Sequence, residues 1–165
     1  MKAVAAGLLG GLAGAWAMDQ FTRVWNNVVP QTQRDSSRRP PLPYSQQEWD
    51  STSRSAAFIA KYAVGRNLTG NERRQGAQIV HFAVGAAGGA LYGALLGRRN
   101  KCLISSGAWF GVVLWLVGEE LAMAVLEIND PPQSYSTAMH ANSLGEHLAY
   151  GTMTGLISKA LFAIL

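Results

Sequence analysis

Four side chains set in otherwise apolar stretches have the types and spacing for proton chemistry: Asp19, His81, Glu119 and His147. At the α-helical rise, His81 lies about 14 Å inside a helix counted from Glu72, and His147 about 14 Å from Ala138. Asp19 and Glu119 precede the ends of their own helices by about 15 and about 14 Å, measured from the same face. The expectation is one layer of two carboxylates and two imidazoles. Close pairing favours imidazolium beside carboxylate, desolvation favours both groups neutral, and distance decides between them. Supporting groups adjoin the layer. Glu120 and Glu146 neighbour it, His140 lies seven residues before His147 on the same face, and Arg23 can pair with Asp19 at i+4.

Ionisable groups at membrane depth point by default to a proton or cation pathway. A second reading is a polar network that fixes helix register without chemistry. The third is a metal or haem b held between His81 and His147, with Gly85 and Gly89 making room, although no Glu-x-x-His string occurs. No cofactor is the leading expectation. Nucleophilic chemistry has no support: Cys102 adjoins a basic turn without a local histidine, and there is no G-x-S-x-G or P-loop string. No catalytic residue is assigned, and an enzyme is the minority reading. As the single cysteine, Cys102 also excludes an internal disulfide. The net charge of +4 and pI near 9.5 come without a basic stripe interleaved with aromatics, which argues against nucleic acid. Anionic lipid headgroups account for the arginines more simply.

The elements that must position these groups are helices. Charged residues make up only 15% of the 165, below the roughly 25% usual in soluble domains. They are concentrated between Arg34 and Arg74, and the mean hydropathy of +0.07 is diluted by that segment. A single all-α membrane domain, 1–165, is expected, with spans at about 3–29, 72–97, 103–128 and 138–165 and a polar linker over 30–71. Pro30 stops the first span, the capping box Thr69-x-x-Glu72 opens the second, and Arg98-Arg99-Asn100-Lys101 closes it. Asn129-Asp130-Pro131-Pro132 breaks the third from the fourth. The first segment resembles a signal peptide, with Ala15-Trp16-Ala17 as a cleavage site, but its glycines match a later helix and it is read as a span. Within the linker Arg38-Arg39-Pro40-Pro41-Leu42-Pro43 should be extended. Residues 55–64 place Phe58, Ile59 and Tyr62 at helical spacing, as in a short interfacial helix or a loop helix packed on the bundle. Nine Lys/Arg between Arg23 and Arg74 oppose the dense Arg98, Arg99 and Lys101, so orientation stays open.

Self-comparison gives a further pattern. His81-x-Ala-x-Gly85-x-x-x-Gly89 recurs as His147-x-Ala-x-Gly151-x-x-x-Gly155, and Gly7, Gly11 and Asp19 share their spacing with Gly107, Gly111 and Glu119. The expected fold is therefore a four-helix bundle made of two tandem two-helix repeats, related by an axis along the membrane normal. The glycines four apart are read as helix contacts.

The stretch Leu68-Thr69-Gly70-Asn71-Glu72 through His81-Phe-Ala-Val-Gly85 and Ala90-Leu91-Tyr92-Gly93, with Glu146-His147, resembles the YagU-like family of uncharacterised bacterial inner-membrane proteins. The resemblance covers the last three spans and implies a multi-pass location in a bacterial inner membrane. By it, His81 and His147 match histidines in the family's membrane helices, while the Pro/Arg linker departs from the pattern. The function expected is proton or cation handling by the acid/histidine layer. The rival is an accessory structural subunit that binds a larger membrane complex or forms a homo-oligomer.

Overall fold

The computed structural model describes residues 1–29, 51–96, 103–129 and 132–164. The Pro/Arg stretch 38–43, the basic turn 98–101, Cys102, and Asp130 and Pro131 of the break before the last helix lie outside the described residues. Among the described residues the chain is all-α, with no strand.

Helix α1 spans Lys2–Val28. It ends where expected: Val29 is extended, at φ −92° and ψ 123°, because the ring of Pro30 disfavours the helical region for the residue before it. Helix α2, Ser51–Ile59, continues through a π-helical turn, Ala60–Val64, and stops at Gly65 in the left-handed conformation (φ 73°). Helix α3 spans Gly70–Leu96. The capping box forms at its start: the Thr69 amide donates to Glu72 at 2.9 Å, and the Glu72 amide approaches the Thr69 hydroxyl at 3.5 Å. Helix α4, Leu103–Leu114, runs on through π-helical turns at Trp115–Ala122 and a last α turn at Met123–Val125. Helix α5 spans Thr137–Ile164, after a 3-10 turn at Pro132–Ser134.

Small residues make most of the helix contacts, around three buried aromatic rings. The buried positions of α1 are Ala6, Gly7, Gly10, Gly11, Gly14 and Ala15. Gly7 and Gly11 lie on one edge and meet Gly85, Gly89 and Gly93 of α3. Gly10 and Gly14 lie on the next edge and receive Tyr150, Thr154 and Ser158 of α5. Gly107 and Gly111 of α4 meet Gly151 and His147 of α5 in the same manner. Without Cβ atoms the backbones approach closely, and packing contact is gained along the whole face. A cluster of Tyr92, Phe110 and Tyr150 fills the centre, with Met18, Leu96 and Leu114 against it. The Tyr150 hydroxyl donates to the Gly85 carbonyl at 2.7 Å.

Large apolar side chains point outward on every long helix: Val4, Leu8 and Leu9 of α1, Ile79, Val84 and Leu91 of α3, Trp109 and Val113 of α4, Leu156 and Ile164 of α5. Among the described residues, α3 is the helix long and apolar enough by length and composition to cross a membrane. Polar groups interrupt the others: Lys2, Asp19 and Arg23 in α1, and His140, Glu146, His147 and Lys159 in α5.

Helix α2 lies on the bundle. A Cβ at Gly76 would stand 3.0 Å from that of Ala56, and the Ser55 hydroxyl is 3.8 Å from the Met123 sulfur. Ile59, Tyr62 and Val64 remain exposed. Of the two sequence readings of this segment, the loop helix packed on the bundle is the one these contacts bear out.

Candidate functional site

The polar side chains gather in the half of the bundle where α1 ends and α3 and α5 begin. Deepest lies the pair formed by His81 and Asp19, Nε2 to Oδ1 at 3.3 Å, with the same Nε2 at 3.1 Å from the Ala15 carbonyl. A carbonyl only accepts, so Nε2 carries hydrogen, and a neutral ring is sufficient there. Both residues belong to the layer expected from the sequence, which did not specify the pairing. Arg23 is a further partner expected for Asp19 at i+4, but the close contact of Asp19 among the described residues is with His81.

His147 behaves differently. Its Nδ1 donates to the Ser143 carbonyl of its own helix at 2.9 Å, and the residue across from it is Gly111, whose Cα faces the His147 carbonyl. Glu119 lies eight residues beyond Gly111, on the order of 10 Å along the axis. The structure thus does not bring Glu119 to His147, and the single layer of four groups is divided. The cause is the packing register. In the α1–α3 pair Gly11 meets Gly85 and Gly7 meets Gly89, whereas in the α4–α5 pair Gly111 meets His147 and Gly107 meets Gly151.

Glu119 turns instead to α2. Its carboxylate accepts from the Ser51 hydroxyl and, at 3.3 Å, from the Asn129 amide, which also donates to Ser51 at 3.2 Å. Its neighbour Glu120 faces α5 and meets His140, Oε1 to Nδ1 at 2.7 Å. The other His140 nitrogen lies 3.0 Å from the Pro132 carbonyl. Both glutamates belong to the π-helical stretch, where each turn holds more residues than an α turn and consecutive side chains are re-aimed. Sequence spacing had given Glu120 and His140 only a supporting role. The signal that could have found them is their position seven residues before His147 and next to Glu119, but nothing in the sequence announces the π turns.

Glu146 stands between these groups. It accepts from the Thr22 hydroxyl at 2.5 Å and from Asn142 at 2.8 Å, and so ties α1 to α5 one turn from Asp19. From the bundle end inward the order is Glu120–His140 with Glu119, then Glu146, then Asp19–His81 with His147. Beyond that depth come the glycine contacts. Lys159 sits past them and is exposed.

Among the described residues no three His, Cys, Asp or Glu side chains converge to hold a metal ion. A haem between His81 and His147 does not fit either, because the clefts at Gly85 and Gly89 are filled by the backbone of α1 at Gly11 and Gly7. Comparisons with protein-family models, with curated proteins and with solved structures match nothing to this chain, and the roles of these residues rest on the geometry alone.

Proposed function

We propose that this chain is a four-span α-helical membrane protein whose acid and histidine groups bind and release protons at one side of the bilayer. The observation that carries the reading is the division of the bundle: ionisable pairs occupy one half, and glycine-to-backbone contacts close the other. A polar ladder that stops at a sealed interface suits one-sided proton exchange rather than conduction.

The distribution of apolar residues supports the membrane setting. A water-soluble bundle buries its leucines and valines and exposes charge. Here glycine and alanine are inside, and the large apolar side chains face outward over all four long helices. Lipid is the solvent that suits such a surface. The resemblance to YagU-like proteins favours a bacterial inner membrane.

Internal duplication is supported by contacts that the repeat spacing did not use. The alignment that equates Gly7 with Gly107 and Gly85 with Gly151 also equates Gly10 with Phe110 and Ser158 with Tyr92. Gly10 packs on Ser158, and Phe110 stacks edge-on against Tyr92 with ring centroids 5.2 Å apart. Gly14 packs on Thr154, and the equivalent Leu114 would stand 3.6 Å from a Cβ at Gly88. The same pairs of positions meet in each half, through small residues between α1 and α5, and through Phe110 on Tyr92 and Leu114 on Gly88 between α4 and α3. Relative to that alignment the α4–α5 ladder is displaced by one helical turn, which separates Glu119 from His147, and the π-helical turns aim Glu120 at His140.

The test uses the full chain in two forms. In nanodiscs, infrared spectra across the pH range should show a titrating carboxylic acid band that weakens in Asp19→Asn and Glu146→Gln. In liposomes with an entrapped pH dye the protein should carry no sustained proton flux. Sustained flux would overturn the sealed-half reading in favour of a channel. No titrating band, with His81→Ala tolerated and another membrane protein copurifying in stoichiometric amount, would make it an accessory subunit instead.

A further inference from the structure

We propose that Glu120 and His140 share a proton, and that this proton fastens the connection between α4 and α5 to the bundle. The inference rests on the proton-handling reading only in its choice of ligand. Its basis is that both nitrogens of His140 face oxygen. Nε2 lies 3.0 Å from the Pro132 carbonyl, which can only accept, so this nitrogen bears hydrogen. Nδ1 lies 2.7 Å from the Glu120 carboxyl oxygen. An imidazole lone pair and a carboxylate lone pair repel at that distance, so a proton lies between them. Whether the pair is imidazolium with carboxylate or imidazole with carboxylic acid, it holds one proton more than a neutral histidine beside an ionised glutamate.

Neither other histidine has this arrangement. His81 uses one nitrogen for both Ala15 and Asp19, and His147 donates Nδ1 to its own helix. A neutral ring satisfies each. The groups facing His140 are Glu120 from the π-helical stretch, the Pro132 carbonyl, and the Tyr135 ring, edge-on with a centroid distance of 6.1 Å. Glu119, next in sequence to Glu120, is engaged by Ser51 and Asn129.

The same Pro132 carbonyl accepts from the Tyr135 amide at 3.1 Å, so His140 fastens the turn that leads into α5. Loss of the shared proton sets two lone pairs against each other and frees this turn. The pair is thus a proton-binding site whose occupancy is read out as order in residues 132–136, at the open end of the polar ladder.

Nitrogen NMR of the histidine-labelled full chain in nanodiscs, with hydrogen exchange of the Tyr135 amide that closes the turn, tests this from about pH 5 to pH 9. The expected result is a protonated His140 Nδ1 at the acidic end. As the proton leaves, amide protection in the turn should fall on the order of tenfold. In Glu120→Gln the side-chain amide can donate to a neutral Nδ1, so protection should persist at every pH. In His140→Ala it should be low at every pH. An Nδ1 lone pair over the whole range, or the same pH dependence in wild type and Glu120→Gln, overturns the proposal. A shared proton seen by NMR in a protein without the titrating acid band of Asp19 and Glu146 would support this pair and remove the broader proton-handling reading.

Discussion

Substituting Gly89 by alanine should separate α1 from α3. A Cβ at Gly89 would lie 2.5 Å from the Gly11 Cα and 2.6 Å from the Gly11 nitrogen, besides meeting the Gly7 carbonyl. Ordinary carbon–carbon contact is about 3.5–4.0 Å, so the helices must part by roughly 1 Å. Every neighbouring atom is backbone, so no side chain can rotate away to relieve the clash. A rigid helix moves as a unit, and the gap spreads over the Ala3–Gly93 and Gly11–Gly85 contacts as well. A gap of that size forfeits a quarter to a half of each dispersion contact, which places the cost at the upper end of overpacking changes, about 3 kcal/mol. It also stretches the 3.3 Å His81–Asp19 contact beyond hydrogen-bonding distance. The control is Gly118→Ala, where nothing lies within 4 Å of the added carbon and the gain in helix propensity is at most about 1 kcal/mol. Reversible unfolding in mixed micelles, followed by circular dichroism, measures both. Equal stability of the two variants would refute the backbone-contact reasoning.

Three other outcomes are expected. Brominated lipids should quench Trp109 and Trp16, which are 69% and 55% exposed, and single-tryptophan variants read out by fluorescence would show no quenching if these faces met water. Thr69→Ala removes both hydroxyl contacts with Glu72 and should cost about 1 kcal/mol, seen as faster hydrogen exchange confined to the first turn of α3. Tyr150→Phe deletes the hydroxyl bond to Gly85 while keeping the ring in the core. A loss of about 1 kcal/mol is expected in thermal unfolding, with the fold retained.

Much of the architecture was legible because it depends on local rules. Pro30 sets the end of α1 through the conformation of Val29, and Thr69 with Glu72 opens α3 through reciprocal capping. The glycines at four-residue spacing were read as helix contacts, and that is where backbone meets backbone. Depth alone puts Asp19 and His81 in one layer with Glu119 and His147, and of these four Asp19 and His81 meet. What escaped were the π turns at Trp115–Ala122 and the attachment of α2 through Ser51, since neither has a compositional signature.

By itself, then, the sequence determined the four long helical segments, the end of α1 and the start of α3, and that small residues line the helix contacts. Register was decided only by the tertiary structure. A ladder of glycines repeating every four residues can interlock at positions one turn apart with nearly the same backbone contact, so spacing alone does not distinguish a register with Gly107 on the Gly155 carbonyl from the observed one with Gly107 on the Gly151 carbonyl and Gly111 on that of His147. Packing of the whole bundle makes that choice, and with it selects Glu120–His140 over Glu119–His147 as the second acid–histidine pair.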